Sequence, residues 1–214
     1  MSPHSRLGIS LPDKTWNHPR KIRTRDDTII DTIHQVFGNK IPENRQYWTL
    51  CGRSIGSGTE FDQLIKSGLI KPEQFNGVEI NPDIHLENMS LPQGHFWQGD
   101  FYEVMLNHKH TREFNPAAVN FDSVNMPTEA ANQFAKIFRL LSRVEETPIL
   151  FIANVVLSCY SHRSSIDDFI TRLGKKIPWW AYQKWIPFNE QYYEYNGTGD
   201  HSGTKMGTIV MLRS

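Results

Sequence analysis

A glycine-rich turn, Cys51-Gly52-Arg53-Ser54-Ile55-Gly56-Ser57-Gly58-Thr59-Glu60, is followed at nearly constant intervals by three acids. Glu79 lies 21 residues past Gly58, Asp100 another 21 and Asp122 another 22. Glycines let a chain turn tightly and bring its backbone close to a ligand, and a following helix points its N–H groups at that ligand. A carboxylate roughly 20 residues downstream suits a ribose, because it accepts from two neighbouring hydroxyls at once. The chemistry implied is the cradling of a nucleotide-type ligand. Each feature alone would be a turn glycine or a surface acid; their common phase carries the reading.

For these groups to face one crevice, each must follow a strand. Short apolar strands are expected over 47–51, 75–80, 95–98 and 117–121, and a longer apolar run over 148–157 suits the centre of a parallel sheet. Helices are expected between them, over 60–67, 82–89, 101–107, 128–143 and 165–173. Ahead of the first strand, Ile29, Ile30, Ile33, Val36 and Phe37 recur at helical spacing, with Asp27 as a cap and Gly38 as a stop. At the other end, 185–195 and 204–212 alternate as strands and flank a Gly/Asn/Asp/Ser connection, the signature of an antiparallel hairpin. The pattern predicts a Rossmann-like, doubly wound α/β fold. Its mostly parallel sheet has about seven strands and ends in a C-terminal antiparallel hairpin. At 214 residues, one such domain over 26–214 with a basic arm over 1–25 fills the chain.

The order and spacing resemble the class I S-adenosylmethionine-dependent methyltransferases from about Thr28 to Leu212. Their core also has a glycine loop after the first strand, an acid ending the second, an Asp after the third and a terminal hairpin. The resemblance implies S-adenosylmethionine as cofactor. It places the loop at Gly52, Ser54, Gly56 and Gly58 beside the methionine portion, Glu79 on the ribose hydroxyls and Ile80 against the adenine. Asp100 then accepts from the adenine amino group, and Phe101 adds an apolar or stacking contact. Two departures stand out: the family usually carries an acid near the start of the loop and a third glycine, where this chain has Cys51/Gly52 and Ser54.

The fourth strand tip, where such enzymes face their target atom, reads Asn120-Phe121-Asp122-Ser123-Val124-Asn125-Met126-Pro127. It has acceptors but not the Asn/Asp-Pro-Pro-aromatic run of amino-methylating nucleic-acid enzymes. Methyl transfer leans on positioning two reactants, so no acid–base dyad is required. Asp122 fits two roles, orienting or deprotonating a nucleophile, or capping the following helix and holding the cofactor.

Two further features point toward a nucleic-acid substrate, RNA or DNA. Residues 1–25 carry six Lys/Arg against the single carboxylate of Asp13, although the whole chain has a net charge of zero. Trp179-Trp180-Ala181-Tyr182-Gln183-Lys184-Trp185 follows Lys175 and Lys176, a pairing that suits base stacking beside phosphate binding. The blander alternatives are a solvated leader and aromatics that cover a sheet edge. Two rival functions remain open: an inactive methyltransferase-like binding or scaffold protein, and a short-chain-type NAD(P) oxidoreductase. The glycine spacing Gly52-x-x-x-Gly56-x-Gly58 suits the latter, but no tyrosine has the lysine four residues later that its proton transfer needs.

Composition excludes several other classes. With 38% hydrophobic and 21% charged residues, neither a disordered chain nor a coiled coil is expected. Two cysteines, Cys51 and Cys159, build neither a disulfide framework nor a multi-cysteine zinc site, and the nine histidines show no metal spacing. No apolar run approaches the ~20 residues that span a bilayer. A soluble, cytoplasmic protein without metal or membrane partner is the economical expectation.

Overall fold

Side chains along β5 (Ile149–Cys159) alternate between two layers: Leu150 and Ile152 pack on one face of the sheet, Ile149, Phe151 and Ala153 on the other. Because both faces are covered, this strand reads as a mainly apolar run, broken within 149–157 by Asn154. The same alternation divides Tyr47 from Trp48 in β1 (Gln46–Leu50). A computed structural model describes residues 19–52, 54–56, 58–111, 114–123, 127–159, 162–163, 165–196 and 205–214.

The remaining strands are β2 (Phe75–Glu79), β3 (His95–Gln98), β4 (Pro116–Ser123), β6 (His162–Arg163), β7 (Ile186–Asn196) and β8 (Lys205–Arg213). They form one sheet in the order β3-β2-β1-β4-β5-β8-β7, with the short β6 paired to β5 off this path. β1 to β5 are mutually parallel, and β8 runs antiparallel to both β5 and β7. The expected doubly wound sheet with a terminal hairpin is therefore present.

One layer is built by α1 (Pro19–Phe37) and α2 (Glu60–Lys66), through Ile29, Ile33, Phe61 and Leu64. The other uses α4 (Phe101–His108), α5 (Pro127–Leu141), α6 (Ile166–Lys176) and the short α7 (Trp179–Tyr182). In α5, Ala130, Phe134, Ile137, Phe138 and Leu141 make one apolar stripe. Phe138 meets Phe151 at 4.7 Å and Trp185 edge-on at 4.5 Å between ring centroids. α3 (Pro82–Asn88) follows β2, capped by the Asn81 side chain, which accepts from the Asp83 N–H at 2.9 Å.

One boundary lies far from expectation. α1 begins at Pro19 rather than after Asp27, so residues 19–25 are helical, and Asp27 lies inside the helix. Proline suits a first helical turn, whose N–H groups have no intrahelical partner. Residues 1–18 of the basic arm lie outside the described residues. α7 and β6 carry too few residues to leave a periodic signal in the sequence.

The position of α7 matters for function. β7 starts at Ile186, which registers with Leu212, and Leu212 with Leu150 at the start of β5. The Trp179–Trp185 segment therefore sits at the amino-terminal edge of the parallel strands, opposite the tips where the glycine turn and the acids lie.

Candidate functional site

The sheet order reverses between β1 and β4, since the chain leaves one toward β2 and the other toward β5. That switch opens a crevice at the carboxyl ends of the strands. Along it stand Asp100 after β3, Glu79 ending β2, the glycine loop after β1 and Asp122 near the end of β4. Two backbone bonds set the first three side by side. The Cys51 N–H donates to the Val78 carbonyl at 3.2 Å, and the Gly99 N–H to the Glu79 carbonyl at 3.0 Å.

Gly56 and Gly58 take φ of +109° and +79°, conformations that any Cβ would strain. Side chains then fasten the loop. Thr59 caps α2, accepting from the Asp62 N–H at 3.3 Å while its hydroxyl donates to the Ser54 carbonyl at 2.9 Å. The Asp62 carboxylate accepts from the Gly58 N–H at 2.8 Å. The Lys66 ammonium and that N–H hold the carboxyl below its ordinary range.

The firmest hold comes from Asn88 at the end of α3, a fully buried side chain. Its Oδ1 accepts from the Ser54 N–H at 2.7 Å, and its Nδ2 donates to the Gly52 carbonyl at 2.6 Å. Asn88→Ala is expected to cost roughly 1–3 kcal/mol per group deprived of its partner. Urea unfolding would measure this. Amide exchange should quicken at Ser54 in particular, and unchanged exchange there would mean that Asn88 does not set the loop.

Glu79 is half-buried, and its Oε1 accepts from the Asn81 N–H at 2.8 Å. Burial pushes its carboxyl above the usual range, only partly offset by the Asn81 and Ile80 N–H groups. Ile80, next in the chain, is 65% exposed, an apolar side chain left at the crevice edge. Asp100 caps α4, with Oδ1 accepting from the Glu103 N–H at 3.1 Å; a carboxylate keeps further acceptor positions beyond one such bond. Phe101 is placed differently from the stacking role implied for it. Its ring turns into the core against Phe121, 5.1 Å between centroids, and is 3% exposed.

Asp122 is half-buried and registers with Asn154 of β5. The Asn154 Oδ1 accepts from the Thr208 hydroxyl at 2.6 Å. Val124, Asn125 and Met126, part of the fourth tip, lie outside the described residues, as do Arg53 and Ser57 of the loop.

Behind the loop lies a cluster that the sequence did not reveal. Glu60, the first residue of α2, is 8% exposed; its Oε1 accepts from the Tyr47 hydroxyl at 2.6 Å and its Oε2 from the Asn120 Nδ2 at 3.0 Å. An acid in the first turn of a helix is normally a surface residue favoured by the helix dipole, so nothing marked it as interior. The Thr59-x-x-Asp62 cap was legible, since an N-cap threonine with an acid three residues on is a known helix start.

Burial pushes the Cys51 thiol up to about 12. It stays a neutral packing group and no nucleophile. Among the described residues no group of three or more His, Cys, Asp or Glu is placed to hold a metal ion, and no helix is long and apolar enough to cross a membrane.

No family model matches the sequence, and no curated protein is significantly similar to it. Solved structures do match. The N-methyltransferase NodS from Bradyrhizobium japonicum, in complex with S-adenosyl-L-homocysteine, is similar over 98% of this chain and 95% of its own, with a TM-score of 0.58 and 9% identity. Geranyl diphosphate C-methyltransferase from Streptomyces coelicolor, also solved with S-adenosyl-L-homocysteine, is similar over 98% and 84%, with a TM-score of 0.52 and 12% identity. A TehB-like S-adenosylmethionine-dependent methyltransferase from Corynebacterium glutamicum is similar over 91% and 94%, with a TM-score of 0.50 and 11% identity. At such identities the likeness is one of fold.

Proposed function

From the class I S-adenosylmethionine-dependent methyltransferase fold of this chain, we propose that it binds S-adenosylmethionine and transfers the methyl group to an acceptor. The observation that carries the reading is Glu79. A half-buried carboxylate, costly to ionise where it stands, sits at the tip of β2 beside a glycine loop held in place by Asn88. A cation or a pair of hydroxyls would offset that cost, and a ribose supplies the hydroxyls.

The residues fit the cofactor. Glu79 would hold the ribose, Ile80 would cover the adenine, Asp100 would accept from its amino group, and the backbone of 52–58 would line the methionine portion. When bound, the cofactor supplies a methyl group on a sulfonium, already activated for displacement. The chain's own contribution is then to align an acceptor, for which Asp122 at the fourth tip is the candidate.

For the acceptor we propose a nucleic acid. The support is the charge of residues 1–25; the aromatic-basic segment lends none at this site, because it lies at the opposite end of the sheet. The fold leaves the acceptor open, since the neighbours named above include an N- and a C-methyltransferase. A binding or scaffold role without catalysis remains the second reading, favoured by Cys51/Gly52 where an acid is usual. The oxidoreductase alternative loses ground to the sheet order: β8 is inserted antiparallel between β5 and β7, unlike the continuous parallel order of dinucleotide folds.

Calorimetric titration with S-adenosylmethionine and S-adenosylhomocysteine, with NAD and NADP as controls, tests the proposal. Micromolar binding of the first pair alone is expected, followed by labelled-methyl transfer to RNA or DNA. Replacing Arg6, Lys14, Arg20, Lys21, Arg23 and Arg25 together by glutamine should flatten the salt dependence of nucleic-acid binding. Silence from a folded sample toward all four ligands would end the cofactor reading.

A further inference from the structure

The ends of α5 and α6 meet α7 in a patch that methyl transfer does not use. Trp179 is 74% exposed, Trp180 43% and Tyr182 39%. Core packing does not account for them, because their neighbours already do it. Ala181 and Trp185 are buried against the α5 side of the core, and the Trp185 Nε1 donates to the Ser142 Oγ at 2.9 Å. Tyr182 rests on Gly174, leaving both tryptophans turned outward. Large aromatics so placed on a soluble surface mark an interaction site more often than isolated exposed side chains do.

Five cations lie on the same stretch of the fold, at the ends of α5 and α6 and just after α7. Arg139 donates to the Lys176 carbonyl at 2.7 Å, Lys184 to the Ser142 carbonyl at 2.9 Å, and the Arg143 guanidinium lies 5.9 Å from the centre of the Trp180 ring. Lys175 and Lys176 end α6. Among the described residues none of the five is ion-paired. The helix dipole explains cations at the end of α6 but not the tryptophans beside them.

We propose that this patch binds single-stranded nucleic acid, with bases stacked on Trp179 and Trp180 and phosphates held by Arg139, Arg143, Lys175, Lys176 and Lys184. Charge and shape select this occupant. A second copy of the chain would bring the same cations against themselves across a two-fold axis, and a duplex keeps its base faces stacked inside. The surface lies at the opposite end of the sheet from the crevice, so it is a docking surface, independent of the cofactor reading.

The test titrates the full chain with oligouridylate and oligothymidylate of about 12 nucleotides, following tryptophan fluorescence between about 50 and 200 mM salt. Heparin serves as a polyanion without bases. Oligonucleotides should quench the fluorescence, and Trp179→Ala and Trp180→Ala should each weaken their binding roughly 5- to 100-fold while leaving heparin affinity unchanged. Lys175→Glu should weaken both and lessen the salt slope. Oligonucleotide binding unchanged in the tryptophan variants would assign it to the cations of residues 1–25 and overturn the proposal. So would no binding at low salt, equal binding of a duplex, or a dimer that Trp179→Ala dissociates in sedimentation.

Discussion

Glu79→Ala is expected to lower affinity for S-adenosylhomocysteine roughly ten- to hundredfold, since hydrogen bonds to a charged group are worth about 1.5–3 kcal/mol. The loss should fall equally on adenosine, which shares the ribose, and should leave the fold intact. Glu79→Gln separates binding from stability. Burial raises the Glu79 carboxyl in the folded chain. Its contribution is therefore fully present below the ordinary glutamate value and is lost as pH rises through the raised one. At neutral pH the ionised carboxylate opposes folding. The Gln variant keeps an oxygen for the Asn81 N–H and carries no charge, so it should melt above the wild type at pH 7 while binding cofactor less well. The difference should close as the pH falls through that window. Equal affinity for the ligand in wild type and Glu79→Ala would remove Glu79 from the pocket.

Glu60→Ala should give the largest loss of stability at the site. It takes the acceptor from the Tyr47 hydroxyl and the nearer of two acceptors from the Asn120 amide, which keeps only the Thr49 Oγ1 at 3.5 Å. At about 1–3 kcal/mol for each such group, urea unfolding should register a loss of roughly 2–6 kcal/mol. Because Glu60 follows Thr59 directly, the loop should loosen with it. Glu60→Gln should be much milder. The buried Asn120 Oδ1 has no hydrogen-bond partner, so turning that amide over lets it accept from the new Gln Nε2 while Tyr47 still donates to the Gln oxygen. If the alanine and glutamine variants were equally stable, the cluster would not hold the start of α2.

Elements whose cause is local were legible in the sequence. The apolar run of β5, the stripe of α5 and the hairpin strands β7 and β8 all follow from side-chain period within a short window. The start of α1 was misplaced because Pro19 to Arg25 looks polar and proline-punctuated, although proline is tolerated at a first turn. Phe101 was assigned to a ligand from its place after Asp100; in the fold the same helix that Asp100 caps turns that ring into the core.

Sequence alone thus determined the alternation of strands and helices and the phase in which a glycine loop, Glu79, Asp100 and Asp122 recur. Those depend on spacing along the chain, and a parallel sheet aligns equal spacings at one edge. Only the tertiary structure decided that Asn88 reaches back to Gly52 and Ser54, that Glu60 is interior, and that Trp179 and Trp180 face away from the crevice. Each of these depends on which strands are neighbours and on the register of β8 between β5 and β7. Such long-range pairing is set by packing the whole core, and no local window of residues encodes it.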